Sequence, residues 1–365
     1  MGLGSGGGQL LTAAAADERL NMDHVLKNTT DSQNNIRENT LVSVVIPAFN
    51  AEETISEVVH AAIEQDLAAG LEVIVVDDGS TDQTANQAEQ AGARVLQQSN
   101  QGPAAARNAG WHAAQGEVVL FTDSDCKPHK DWAKRLLSGF TNPGVGAVAG
   151  SYGIWNPYSW LARNVHEEIK NRHAKMGGSI RVFGSYNVAI KKEVLEKLNG
   201  FDDNYRRASG EDNDLSYRML KAGFTIDFRP EALVDHLHQE SIFRYLKEQA
   251  RHGYYRMLMY RTHPEMITGD DYTGIKDMVE PPLALILLVL VPLALIMDGS
   301  LSLLALGLAL AYCLLQVIDL KGKGWHAAGS QRWLYAGVTF FRGFARGLGM
   351  LAGLLRFGLK KPSSQ

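Results

Sequence analysis

Cysteine is scarce in this chain, with only Cys126 and Cys313 among 365 residues. One lies in a soluble-looking segment and the other in an apolar run. A disulfide framework is therefore not expected, and a reducing compartment is. Excess positive charge is also missing. Lys and Arg total 36 against 40 Asp and Glu, giving a formal net charge of −4 and a pI of about 6.3. That balance argues against nucleic acid as a main partner. The N-terminus lacks a basic segment followed by a long apolar one, so no signal peptide is expected. No G-x-G-x-x-G follows the first apolar strand, where the chain reads PAFNAEE. This disfavours a dinucleotide-dependent dehydrogenase. It equally disfavours a nucleotidyltransferase, which usually carries a Gly-rich loop there.

What is present divides into three parts. Residues 1–38 are rich in Gly, Ala, Asn and Asp without sustained periodicity and read as a flexible arm. Residues 39–262 form an α/β domain. Apolar runs at 41–46, 71–76 and 117–121, with a short strand at 94–97, alternate with helical segments. Pro47 is expected to stop the first strand, and Asn50 with Glu53 to cap the helix after it. Further helices are expected from Thr81 to Gln90 and from Pro103 to before Gly116. The rhythm predicts a parallel sheet with helices on both faces. Residues 146–262 are looser: a strand near 147–155, a polar helix at 158–176, a strand at 182–190, a short helix at 193–198, a helix opening at 210, and a strand at 224–228. A basic, aromatic helix follows at about 241–261, with Arg244, Lys247 and Arg251 along one face, read as bordering a membrane and an anionic lipid.

Residues 263–365 differ in kind. The runs at 283–297 and 301–318 are uncharged and apolar, separated by Asp298, Gly299 and Ser300. Each is slightly shorter than the roughly 20 residues of a span, but a helical hairpin over about 281–318 fits. Lys276 precedes it and Lys321 and Lys323 follow it, which puts both outer ends in the cytoplasm. Residues 333–359 carry Arg342, Arg346 and Arg356 and read as a helix lying in the interface, with a third span as the alternative. A chain ending near Lys276 is then expected to be more soluble and still to bind nucleotide.

Three segments carry chemistry. VVDDGSTD at 75–82 puts Asp77 and Asp78 at a strand's end, where parallel sheets bind ligands. FTDSDC at 121–126 brings Asp123 and Asp125 together, a pair that can meet a hard cation and a diphosphate. SGEDNDLSYR at 209–218 puts Glu211 and Asp212 at a helix N-terminus, where one can serve as general base.

These three, with VSVVIPAFNAEETI at 42–55, GPAAARNAG at 102–110 and FGSYNVAIKKEVLEKLNGFD at 183–202, resemble family-2 glycosyltransferases of the GT-A fold. The resemblance spans Val42 to about His238. It implies a Rossmann-like mixed sheet, a nucleotide-sugar-binding half at 39–145 and an acceptor half at 146–262. It places Pro47, Ala48, Phe49 and Glu52 beside the base and ribose. It gives Asp78, with Asp77 next to it, the uracil, and it sets Arg107 and Ser124 beside the nucleotide. Asp123 and Asp125 match the metal-diphosphate motif for Mg2+ or Mn2+. Asp212 matches the catalytic base, with Glu211 in support. LHQE at 237–240 points to His238 as a further metal ligand, with His236 as competitor. The family's processive members carry Gln-x-x-Arg-Trp; here KEQARHGYYR at 247–256 has no Arg-Trp pair, which speaks against polymer synthesis. The implied reaction is inverting transfer from a nucleotide-sugar, a UDP-sugar in this reading, to a lipid-linked or glycan acceptor in envelope polysaccharide synthesis. The implied location is the inner (plasma) membrane with a cytoplasmic catalytic domain. The rival is a catalytically degenerate membrane scaffold, against which the intact set Asp78, Asp123, Asp125 and Asp212 weighs.

Overall fold

The computed structural model describes residues 41–67, 70–207, 209–296, 299–322 and 331–358. The expected arm at 1–38 lies outside them, as do Asp298, Lys323 and the Lys321 side chain. Strand β1 (Val42–Ala48) is buried along its whole length. Pro47 does not stop it, because the strand runs on to Ala48 in register with Asp77. Helix α1 (Ile55–Ile63) starts at Thr54 rather than Asn50. Asn50 instead has φ of 50°, and its side chain accepts from the Thr81 N–H at 2.9 Å. Asn tolerates this left-handed region better than most residues, so the residue that suggested a cap makes a cross-turn clasp.

The nucleotide half then follows the expected alternation closely. Strand β2 (Leu71–Asp77), helix α2 (Thr84–Gln90), strand β3 (Arg94–Gln97), helix α3 (Pro103–Ala113) and strand β4 (Val118–Thr122) succeed one another. β3, β2, β1 and β4 are neighbours and parallel. Alternate residues of β1 face opposite layers. Val44 and Ile46 pack with Val58 and Val59 of α1, while Val45 packs with Ala106 and Trp111 of α3.

The acceptor half completes the sheet antiparallel and mixed. In chain order come β5 (Cys126–Pro128), α4 (Trp132–Leu137), β6 (Val145–Ile154), α5 (Trp160–His173), β7 (Gly178–Ile180), β8 (Asn187–Lys191), α6 (Lys192–Leu198), α7 (Glu211–Lys221) and β9 (Thr225–His236). The described sheet has nine strands in the order β3-β2-β1-β4-β8-β6-β9-β5, with β7 on β9. Only the second part of the expected strand at 182–190 forms, because Asn187 is where antiparallel pairing with Thr122 begins. β9 is far longer than its apolar core at 225–228. Its second part pairs with β6 across a register shift and with β5.

Four long helices close the chain: α8 (Ile242–Thr262), α9 (Ile275–Ala294), α10 (Ser300–Gly322) and α11 (Gln331–Gly353), the last continued by a π turn at Leu354–Gly358. α8 and α11 lie against each other so closely that a Cβ on Gly253 would meet the Arg346 backbone, and one on Gly349 the Ala250 carbonyl. Arg342 and Arg346 of α11 turn inward rather than outward, whereas Arg356 in the π turn is exposed. Arg342 is buried against Glu168 at 2.9 Å, and Arg346 reaches Asp277 at 2.7 Å. An arginine beside a carboxylate in the interior gains more than one in water, so the helix presents these groups to the protein. By length and composition, Ile275–Ala294 and Trp333–Gly358 are able to cross a membrane.

Candidate active site

Asp77 ends β2, Asp78 follows it, and both are buried. One oxygen of Asp77 accepts from the Ser80 N–H at 3.1 Å. The Asp78 carboxylate accepts from Gln98 Nε2, the Gln101 N–H and the Gly102 N–H, each at 2.8 Å. A carboxylate has about four acceptor positions, so one of Asp78's stays open. The other three shape the loop that opens α3. Gly102 sits in this loop at φ of 100°, where a side chain would be strained and would strike the Arg206 backbone. Glu52 is tied to the same rim, accepting from the Gln83 N–H at 3.0 Å. Phe49 is 46% exposed there. Pro47 and Ala48 are interior strand residues and reach no surface.

Helix α3 carries Arg107 into the protein. Its guanidinium donates to Asp123 at 2.6 Å and to Glu211 at 2.8 Å. Burial works against its charge, but the two carboxylates outweigh that and hold it protonated. Arg107, which the resemblance sets beside the nucleotide, ties the carboxylate after β4 to the one that opens α7. The second oxygen of Glu211 accepts from the Ser209 N–H at 2.8 Å, so this side chain is fully engaged. Asp212 is freer, accepting from the Asn213 N–H at 2.8 Å and distantly from the Ser185 N–H at 3.4 Å. Burial, then the charge of Glu211, pushes the Asp212 carboxyl up to about 7.

Asp125 follows β4 on the exposed side. The pairing of Cys126 with His236 brings the end of β9 beside it, and the Leu237 N–H donates to the Asp125 carbonyl at 2.9 Å. His236 Nε2 then stands 3.6 Å from the Asp125 carboxylate. His238, expected at the metal, lies behind: it is 3% exposed and its Nδ1 meets His236 Nδ1 at 2.9 Å. Asn156 fixes it there by bonding both its N–H and its carbonyl. Alternation along an extended segment would put both histidines on one face, and depth, which sequence does not report, separates them. Ligand atoms of Asp125, Cys126 and His236 lie within 4.8 Å of one another. The Cys126 thiol is fully buried, and a soft sulfur donor suits Mg2+ or Mn2+ less well than oxygen and imidazole do. One carboxylate and one imidazole remain, a donor set that suits Mn2+ or Mg2+ when substrate oxygens complete the shell.

A cavity of about 470 Å³ connects these groups. Arg107, Asp123, Asp125, Asp212, His236 and His238 line it, and Glu211 does too. Pro47, Ala48, Phe49, Glu52, Asp77, Asp78 and Ser124 do not; they stand at the neighbouring strand ends. Sequence reasoning missed several other lining residues. Tyr152 and Tyr186 stack with ring centroids 3.7 Å apart beside His236. His252 of α8 bonds Ser209 at 2.8 Å and lies 3.5 Å from Glu248. The polar i, i+4 spacing of Glu248 and His252 was the available signal.

The model of glycosyl transferase family 2 matches residues 43–198, and that of the N-terminal domain of galactosyltransferase matches residues 164–242. Glycosyltransferase AglE of Haloferax volcanii is 30% identical over 203 residues, covering 53% of this chain and 66% of that protein. A pre-mycofactocin glycosyltransferase of Mycobacterium tuberculosis is 31% identical over 224 residues, covering 58% and 46%. The chain thus spans about half to two thirds of the length of these relatives. A mannosyltransferase from Pyrobaculum calidifontis, solved with GDP-Man and Mn2+, superposes over 90% of both chains with a TM-score of 0.53 at 21% identity. With the strand order, the aspartate pair and the family match in agreement, the chain belongs to glycosyltransferase family 2 and has its GT-A fold.

Proposed function

We propose that this chain is an inverting glycosyltransferase that moves a sugar from a nucleotide-sugar, UDP-linked in our reading, to a lipid-linked acceptor. The observation that carries the reading is the meeting, in one cavity, of the Asp125–His236 edge and the Asp212 carboxylate. The first suits a cation with a diphosphate and the second suits proton removal. Asp125 and His236 would hold Mg2+ or Mn2+, with Asp123 beside them. A divalent cation there supplies positive charge that favours departure of the diphosphate. Asp212 takes the proton of the attacking acceptor group, and its raised pKa makes it a stronger base than an ordinary aspartate. Glu211 and Arg107 hold Asp212 and Asp123 in fixed relation. At the rim, Phe49 and the open acceptor position of Asp78 receive the base, and the Gly102–Pro103 turn at the N-terminus of α3 favours the anion. Two helices long and apolar enough to span support membrane attachment with the cavity at the cytoplasmic face, in polysaccharide synthesis.

The test is full-length protein in detergent with a panel of UDP-, GDP- and dTDP-sugars, with and without EDTA, followed by nucleotide release. Metal-dependent release of UDP is expected. A degenerate scaffold would release no nucleotide from any donor.

A further inference from the structure

The cavity does not end at the base. It continues past α8 to Pro281 of α9 and Met350 of α11. Three arginines on this inner wall are satisfied by carboxylates. Arg172 pairs with Glu168 and Asp277, both at 2.9 Å. Arg342 pairs with Glu168 and Arg346 with Asp277. Two others also line the cavity and are not satisfied. Among the described residues, Arg251 and Arg256 have no carboxylate within ion-pair distance. Arg251 Nε is buried without a hydrogen-bond partner. Arg256 lies over the Tyr260 ring, 6.0 Å from its centroid, and its hydrogen bonds, to the hydroxyls of Tyr260 and Thr273, are both long at 3.5 Å. Glu248, the nearest carboxylate before Arg251 on the helix, turns to His252.

Both arginines project from α8, five residues apart, which is a rise of about 7.5 Å. Both line the same cavity as Asp212, and Arg256 reaches toward Thr273, just before α9. A guanidinium left without an acceptor in a partly dry cavity is unfavourable, and a phosphate is the group its fork geometry fits. The acidic end of the cavity suits a donor with its cation. The arginine-bearing end suits an anion that arrives without one.

We propose that Arg251 and Arg256 form an anion subsite for the acceptor, holding the phosphate or diphosphate of a lipid-linked molecule whose attacking oxygen lies at Asp212. The assignment rests on the transferase reading and specifies its acceptor class. The chemistry shared by a lipid phosphate and a soluble phosphate is the anion itself. The continuation of the cavity toward α9 and α11, whose outer faces are apolar, selects the lipid-linked source.

Binding to full-length protein in micelles tests this with three probes: farnesyl phosphate, farnesol and inorganic phosphate. Farnesyl phosphate is expected to bind roughly 10-fold or more tightly than farnesol, the range of a charged hydrogen bond. Arg256→Gln should remove most of that difference and leave farnesol unchanged, and Arg256→Lys should retain part of it. Arg251→Gln carries the same test should Arg256→Gln fail to fold. Equal affinity for farnesyl phosphate in wild type and a folded Arg256→Gln overturns the subsite. Inorganic phosphate binding as tightly as farnesyl phosphate overturns the lipid-linked assignment. UDP binding with Mn2+ is measured on the same samples. Its absence in wild type would sink the transferase reading, whereas its presence alongside a failed phosphate arm would sink only the subsite.

Discussion

Glu211 and Asp212 are adjacent carboxylates at one helix N-terminus, and their surroundings divide the work between them. Both oxygens of Glu211 are occupied by Arg107 and the Ser209 N–H, while Asp212 keeps open acceptor capacity toward the cavity. Asp212→Asn should therefore retain UDP binding and lower transfer by roughly 10²–10⁴. If Glu211→Gln is dead while Asp212→Asn stays active, the roles are reversed. The pH profile follows with its sign. A base must be deprotonated, so with its carboxyl pushed up to about 7 activity should rise with pH through that region. Asp212→Asn should remove this limb from its residual activity. Arg107→Met should act on stability as well. Breaking a buried pair costs about 3–5 kcal/mol, but Asp123 is 34% exposed, so only the Glu211 half counts fully and the lower end is expected in thermal melts. At the metal, Asp125→Ala and His236→Ala should weaken Mn2+ binding strongly in a titration, and His238→Ala less. Equal losses for the two histidines would put His238 at the ion. The residue types of this site were legible in the sequence, because aspartates after buried strands stand out locally. The partner of Arg107 was not, since Glu211 is 104 positions away and only the fold brings them together.

Among elements, the same division between local and distant causes holds. β1, β2, β3, α3 and β4 fall within a residue or two of their expected positions, because each is set mainly by its own local apolar pattern. The acceptor half is less legible. β8 starts at Asn187 because Thr122 pairs with it, and β9 runs to His236 because β5 and β6 flank it. Neither cause lies within the strand that it extends. The interface of α8 with α11 shows a third case. The sequence predicts that this basic, aromatic helix borders a membrane, yet its Gly253 lies at a contact with α11 where only hydrogen fits. Its counterpart Gly349 permits the same close approach from the other helix. Gly349→Val would drive two methyl groups into the Ala250 carbonyl. Overpacking of this kind destabilises by about 1–3 kcal/mol, so the melting temperature should fall. Arg346 and Gln249, which bond across this contact at 2.8 Å, should separate with it. A Gly349→Val chain that melts like wild type would mean that the two helices are free to spread.

For the molecule as a whole, the C-terminal helices both join the catalytic domain and expose apolar surface. Their inner side is polar and bonded. Glu168 of α5 receives Arg172, Arg342 and the Tyr335 hydroxyl, and Asp277 receives Arg172 and Arg346. Their outer side is not: Leu295 and Ile296 are 84% and 83% exposed, and Leu303, Leu310, Phe341 and Leu355 are more than half exposed. Soluble monomers rarely carry contiguous apolar patches beyond a few hundred Å², whereas in lipid such helices satisfy their backbone internally. A helix of 20 residues is about 30 Å long, enough for Ile275–Ala294 to cross. Full-length protein should therefore stay with membranes through a carbonate wash, and a detergent-free monomer would refute the membrane reading. The inner side changes the expectation for a chain ending at Lys276. Read from sequence, that cut removes only an anchor. In the structure it also strips Asp277, Tyr335, Arg342 and Arg346 from Glu168, Arg172 and Gln249. It uncovers the face of α8 that α11 fills as well. Leaving Arg172 and Glu168 without these partners exposes or orphans charges that were buried, a change of the class that destabilises most. The shortened chain should aggregate or melt well below the full-length protein, and its UDP affinity should fall with the loss of α8's support for Ser209. A soluble, monomeric chain ending at Lys276 with unchanged melting and UDP binding would show that the helices are only an anchor.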